Sequence, residues 1–104
     1  MVLLEDLLKL EFENRKASWQ RNSRGWMVSV IEHRRRIRKI IEQSRSLAAR
    51  LDSFVSETYP DAVRVVAVQM RRRRSAFPAQ CPWKKEQLLD SDFFPNPHNI
   101  FISD

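Results

Sequence analysis

The chain has 104 residues, of which 42% are hydrophobic and 31% are charged, and its formal net charge is +6. This length allows one small domain, and the apolar content allows a core, so wholesale disorder is not expected. One glycine and one cysteine argue against Gly-rich phosphate loops, β-sandwiches, disulfide frameworks and multi-cysteine zinc sites. No apolar run approaches the roughly 18 residues of a membrane span, and no secretory leader is visible, so we expect a cytoplasmic protein.

The positive charge is concentrated in the middle of the chain. Residues 15–74 hold 16 Lys and Arg against five acids, whereas residues 1–14 and 75–104 carry net charges of −3 and −2. Fourteen of the 19 bases are Arg. Arginine suits bidentate contacts with phosphate or carboxylate groups, although the codon usage of a GC-rich genome would give the same bias.

The first half of the chain predicts two helices separated by an irregular segment. Apolar residues at three- and four-residue spacing predict a helix over residues 2–14 that is buried on more than one side. Turn-forming side chains and Gly25 predict a break over residues 13–25. A second, amphipathic helix then begins at a cap on Asn22 or Ser23 and ends near Gln43. Its apolar seam contains Trp26, Val30, His33, Ile37, Ile40 and Ile41.

The second half predicts a third helix, a loop and a short fourth helix. The third helix begins at Ser44 or Ser46, and Leu47, Leu51, Phe54 and Val55 form its apolar face. We expect Pro60 to kink or restart it. Residues 62–74 are rich in β-branched side chains but also fit a helical face, and no other segment offers a strand to pair with. We therefore predict a helix there and another over residues 84–90.

These elements predict an all-α fold: a small antiparallel helical bundle of about three main helices plus a short C-terminal helix. Residues 1–95 would form the single domain, and residues 96–104 would form a short tail.

Three stretches of the chain resemble a known bacterial family. They are Leu7-Leu8-Lys9, the segment from Ser23 to Ile37, and the ordered series Phe77-Pro78, Cys81-Pro82-Trp83 and Gln87-Leu88-Leu89-Asp90. Over residues 3–95 they resemble the family, abundant in cyanobacteria, catalogued as domain of unknown function family twenty-nine. The resemblance implies a small all-helical domain and no particular activity. It corresponds to the C-terminal two-thirds of the family's domain, without the helical segment that usually comes first.

A missing helical segment would leave apolar side chains without cover. Contiguous exposed apolar patches usually mark binding surfaces, so we expect a protein partner or a second copy of this chain to bind there. The predicted partner-binding residues are Leu3, Leu4, Leu7, Leu8 and Phe12 in the first helix, and Ile100, Phe101 and Ile102 in the tail.

The sequence offers no catalytic constellation. His33 lies on an apolar seam, where a core histidine is the ordinary role, and we expect no Ser, Cys or carboxylate at helical spacing to face it. His98 and Cys81 have ordinary loop and packing roles. One Cys and two distant His give no metal-ligand spacing. We therefore predict no enzyme activity, no cofactor and no metal.

The Arg-rich stretches carry the main functional hypothesis. Arg near aromatic residues is common in nucleic-acid binding, and contact with about six phosphates would give a salt slope of roughly −4 to −5. The predicted nucleic-acid-binding residues are Arg21, Arg24, Arg34, Arg35, Arg36, Arg38, Lys39, Arg71, Arg72, Arg73 and Arg74. We expect an accessory subunit that binds RNA in preference to DNA. The alternative is a helical adaptor or inhibitor whose basic face meets an acidic protein, and bases interleaved with apolar residues around a groove would favour it.

Overall fold

The computed structural model of the chain describes residues 1–95, and every regular element in that range is helical. Four α-helices follow in order: α1 (Val2–Phe12), α2 (Lys16–Gln43), α3 (Arg45–Met70) and α4 (Lys85–Leu89), with a 3₁₀ turn at Arg74–Ala76. The predicted all-α bundle is confirmed. The predicted tail, with Ile100, Phe101 and Ile102, lies outside the described residues.

The short helix α1 forms the centre of the bundle, between the two long helices. Its Leu3, Leu4, Leu7 and Leu8 are at most 1% exposed, and Phe12 is half-buried. The prediction that this apolar face is exposed for a partner is therefore wrong. The stripe extends around much of the helix because α1 packs against α2 on one side and α3 on the other.

Helix α2 begins much earlier than the sequence pattern indicated, so the predicted break over residues 13–25 is wrong. The turn occupies only residues 13–15, where the Glu13 carboxylate accepts hydrogen bonds from the Arg15 amide at 3.0 Å and the Ser18 hydroxyl at 3.2 Å. One turn later, the buried Trp19 indole donates from Nε1 to the Leu10 carbonyl at 2.8 Å. This tertiary contact fixes the first turns of α2, so neither Asn22 nor Ser23 caps the helix.

Helix α3 begins where predicted. The Ser44 hydroxyl accepts a hydrogen bond from the Leu47 amide at 3.4 Å, which confirms it as the N-cap. A restart at Pro60 is excluded, because one helix runs through it, and the predicted kink stays a prediction. Pro60 and Ser56 are both exposed, so water can reach the Ser56 carbonyl that proline leaves without its helical donor. The helix ends at Met70, and its C-cap residue Arg71 has a left-handed φ of 54°.

The segment after α3 folds back over the bundle. The Phe77 ring meets the Phe12 ring edge-on at 5.3 Å, and the Tyr59 hydroxyl donates to the Pro78 carbonyl at 2.8 Å. Burial raises the pKa of Tyr59 to about 12, so its phenol stays a protonated donor at neutral pH. Trp83 and Leu88 are buried, and α4 packs against α2. This arrangement places the end of α4 beside the Arg-rich part of α2.

Candidate nucleic-acid interface

The outer face of α2 carries a row of exposed cationic side chains. At 100° per residue, the side chains of Arg21, Arg24, Arg35 and Lys39 fall within one narrow sector around the helix axis, and Arg36 lies next to that sector. None of the five forms an ion pair with another residue in the range 1–95. These residues, which we call the α2 basic row, are Arg21, Arg24, Arg35, Arg36 and Lys39, and all are exposed.

The C-terminal half of the row borders a shallow recess of about 550 Å³. Arg35, Arg36 and Lys39 line it, and Glu32 and Glu42 lie at its two ends along the helix. The recess is an open surface of one helix, with cations in its centre. It therefore offers an anionic ligand an open, positively charged contact surface.

Arg34 does not belong to this surface, which corrects its predicted role. Its side chain is turned into the bundle and the residue is only 2% exposed. Nε donates to the Leu88 carbonyl at 2.7 Å, Nη2 donates to the Gln87 carbonyl at 3.1 Å, and the guanidinium lies 5.4 Å from the Phe94 ring centroid. Burial lowers the pKa of Arg34, and Asp90 partly offsets this effect. Arg34 is thus a core residue that anchors the end of α4.

Arg38 and Arg72 are also engaged inside the molecule. Arg38 donates from Nη2 to the Leu89 carbonyl, the next one along from those that Arg34 binds. Arg72 donates from Nη1 to the Phe12 carbonyl at 2.6 Å and lies 5.6 Å from the Phe77 ring centroid. Carbonyls at helix ends carry partial negative charge, so both arginines act as caps. Both arginines are thus partly engaged within the molecule, although Arg38 also lines the recess beside the basic row, and their role in nucleic-acid binding stays a prediction.

The remaining members of the Arg71–Arg74 run stay on the surface. Arg71, Arg73 and Arg74 are exposed, and they follow one another through the turn that ends α3. They form a second basic cluster, separate from the α2 basic row in sequence. Arg72 lies between them in sequence, but its side chain is directed toward the Phe12 carbonyl.

The tryptophans near Arg21 and Arg24 are directed toward the core. Trp19 is 2% exposed, and Trp26 is half-buried against the core. The exposed neighbours of the basic row are aliphatic instead: Val28 is 53% exposed and Ile31 is 41% exposed, between the two halves of the row. The interface is thus basic at both ends, and the interval between them holds Val28, Ile31 and the exposed acid Glu32.

His33 has a hydroxyl neighbour that the sequence analysis missed. Ser29, one turn earlier on α2, lies with its Oγ 3.4 Å from His33 Nδ1, and the Ser29 carbonyl lies 2.8 Å from the same nitrogen. Their four-residue spacing was the available signal. The buried Asp6 of α1 is nearby: burial raises its pKa, and Ser29, Lys9 and His33 partly offset the shift. The group lies at the α1–α2 contact and has the bonds of a packed polar cluster.

Cys81 is half-buried, and its Sγ donates to the Trp83 carbonyl at 3.5 Å. Burial raises the pKa of this thiol, which disfavours the reactive thiolate at neutral pH. In the described part of the chain, no group of three or more His, Cys, Asp or Glu side chains is placed to hold a metal ion.

The sequence analysis also did not predict an apolar groove that α2 and α3 form. Ile40, Leu47 and Phe54 are 50%, 46% and 49% exposed, and they line a cavity of about 360 Å³ between α2 and α3. Of the four residues predicted to form the apolar face of α3, Leu51 and Val55 are buried, whereas Leu47 and Phe54 remain half-exposed. Period 3.6 identifies an apolar stripe but not how much of its width the neighbouring helix covers.

No helix within residues 1–95 is long and apolar enough to cross a membrane.

Comparisons with known proteins identify a family but no characterised relative. No curated protein and no solved structure matches the chain. The model of the family described as "Domain of unknown function DUF29" matches residues 1–94, which is nearly the whole chain. The protein therefore belongs to this family of unknown function.

Proposed function

We propose that this protein is a non-enzymatic, basic helical subunit that binds nucleic acid, RNA in preference to DNA, in a larger cytoplasmic assembly. The observation that carries the proposal is the α2 basic row. Its cationic side chains are exposed, and none of them forms an ion pair with an acidic residue in the range 1–95. Cations without internal partners keep their full attraction for phosphate.

The length of the row suits a nucleic-acid backbone. Arg21 and Lys39 are 18 residues apart on a continuous helix, which corresponds to about 27 Å. Several successive phosphates of one strand fit within this distance. The apolar interval at Val28 and Ile31 gives unpaired bases or riboses a surface to contact, which favours single-stranded RNA over a regular duplex. No base-reading motif is present, so binding would be led by the backbone.

Fluorescence anisotropy with labelled single-stranded RNA, single-stranded DNA and both duplexes tests the proposal. With five contacts, the logarithm of the association constant should fall against log salt with a slope of about −3.5 for a single strand. The double variants Arg21→Glu/Arg24→Glu and Arg35→Glu/Lys39→Glu should each weaken binding by tenfold or more. The matched control Arg64→Glu/Lys84→Glu makes the same change in net charge at exposed positions elsewhere.

Loss of binding confined to the basic-row variants would support the proposal. Equal effects of all three double variants would show that net charge alone matters, and absence of binding at low salt would refute it. A further variant, Arg71→Glu/Arg73→Glu, reports whether the second basic cluster contributes to the same complex.

A protein-binding adaptor or inhibitor is the second candidate function. The observation that favours it is the interleaving of Val28 and Ile31 with the bases of α2, because an amphipathic acidic helix would match such a face. Purification of the tagged protein from its native cell, with half the sample treated with nuclease, separates the two functions. A protein partner that is retained after nuclease treatment, with no co-purifying nucleic acid, would favour the adaptor.

That the chain corresponds to only two-thirds of the family's domain stays a prediction.

A further inference from the structure

The exposed face of α3 has an apolar residue at its centre, with a basic residue on the N-terminal side and an acidic residue on the C-terminal side. Phe54 is half-exposed at the centre, Arg50 lies one turn before it, and Glu57 lies about one turn after it. Both charged residues are exposed, and neither forms an ion pair with another residue in the range 1–95. All three line the groove of about 360 Å³ between α2 and α3.

This charge order is self-complementary for two antiparallel copies of the same helix. If a two-fold axis crosses α3 beside Ser53 and Phe54, Arg50 of each copy lies opposite Glu57 of the other. A two-fold interface repeats each contact, so one charge pair in the sequence produces two in the dimer. The alternative direction, with parallel helices, would set Arg50 against Arg50 and Glu57 against Glu57.

The groove provides apolar surface for the same arrangement. In this register the two Phe54 rings meet near the axis, and each faces the other copy's groove, which is lined by Ile40 and Leu47 together with more buried side chains. Leu47 lies opposite Pro60 of the other copy, which is also exposed. Burial of these apolar groups supplies the favourable term, and the charges select direction and register.

We propose that the α3 face bearing Arg50, Phe54 and Glu57 is a dimer interface, and that its occupant is a second copy of this chain in antiparallel orientation. The two helices would overlap over residues 45–62, a length of about 26 Å. A single helix pair with adjoining groove residues covers less than the about 800 Å² per partner of a standard interface, so we expect a micromolar dissociation constant. The proposal is independent of nucleic-acid binding.

Sedimentation equilibrium of the whole chain, from about 1 µM to about 1 mM, measures the association. We expect a monomer–dimer equilibrium, and Phe54→Glu should abolish it. Val68→Glu is the matched control, because Val68 is 76% exposed on the same helix beyond the overlap, so the dimer should persist. Circular dichroism of both variants checks that helix content is retained.

A charge-exchange experiment tests the orientation and does not depend on Phe54. Arg50→Glu alone and Glu57→Arg alone each place like charges together, so each homodimer should be weakened about tenfold. When the two variants are mixed, both charge pairs of the mixed dimer become attractive, and a heterodimer of near wild-type affinity should form. A mixture of Arg64→Glu with Glu86→Arg carries the same charge changes outside the interface and should show no gain over its separate components.

Three results would overturn the proposal. They are a wild-type protein that stays monomeric over the whole range, a Phe54→Glu variant that dimerises like wild type, and a mixture of the charge variants that forms no heterodimer. Each would indicate that the groove is either unoccupied or covered by something other than a second copy.

Discussion

The Nε atom of Arg34 donates a hydrogen bond of 2.7 Å to the carbonyl of Leu88, 54 residues further along the chain. This bond joins the middle of α2 to the last turn of α4, where carbonyls lack helical donors. Nη2 also donates to the Gln87 carbonyl, which accepts a second hydrogen bond from the Asp90 amide at 3.3 Å, so one side chain binds two carbonyls of the last turn of α4. An arginine in the densest basic stretch of the sequence is therefore a structural residue.

Replacement of Arg34 should destabilise the fold strongly. Arg34→Ala removes two charge-assisted hydrogen bonds and leaves the carbonyl of the buried Leu88 without the Arg34 donor, so the free energy of unfolding should fall by about 3 kcal/mol. Arg34→Lys should also destabilise, because an ammonium cannot reproduce the planar arrangement of donors. Urea denaturation followed by circular dichroism measures both changes. Arg35→Ala, at the exposed neighbouring position, is the control and should change stability by less than about 0.5 kcal/mol.

Asp6 should make the protein less stable when it is ionised. Its Oδ2 is buried without a hydrogen-bond partner, and burial raises the pKa of Asp6 above its ordinary value of 3.8. The folded state therefore binds the proton more tightly than the unfolded state, and stability falls as pH rises through the folded-state pKa. Asp6→Asn should raise the free energy of unfolding at pH 7 by about 1 kcal/mol. The advantage should vanish below about pH 4, and denaturation curves across pH would contradict this if it stayed constant.

Glu13 should show the opposite pH dependence. Hydrogen bonds from Arg15 lower the pKa of Glu13 below its ordinary value of 4.5, although burial works against them. Its charge therefore stabilises the fold above the unfolded-state pKa, and this stabilisation is lost as pH falls through the lower folded-state pKa. Glu13→Gln removes this stabilisation and should lower the free energy of unfolding at pH 7. The decrease should be only about 1 kcal/mol, because Arg15 is exposed and solvent screens its interaction with Glu13. The difference from wild type should disappear in acid, in the same denaturation series.

Gly25 is a site where a substitution should stabilise the protein. It lies inside α2, it is exposed, and a Cβ atom there would meet nothing within 4 Å. Gly25→Ala should raise the free energy of unfolding by about 0.5–1 kcal/mol, since alanine restricts the unfolded chain and favours the helix. Thermal unfolding measures the gain. A decrease in stability would mean that α2 is not a continuous helix at this position.

The sequence alone determined the helical class and several helix boundaries. Apolar side chains at period 3.6 identified α2 and α3, and the junction of Gln43 and Ser44 could be predicted because an N-cap is a local interaction. The positive charge of the middle segment was also visible, since charge depends on composition alone. These properties depend on residues that are close together in the sequence.

Tertiary structure decided which side chains remain available for function. Leu7 and Phe54 lie on similar apolar stripes, yet Leu7 is fully buried between two helices and Phe54 is half-exposed because no described element covers it. Likewise Arg34 and Arg35 are adjacent in sequence, but 100° of helix rotation turns one toward α4 and the other toward solvent. The start of α2 depended in the same way on Trp19 meeting the Leu10 carbonyl. Each outcome depends on contacts between helices, and periodicity within one helix carries no information about what its neighbour covers.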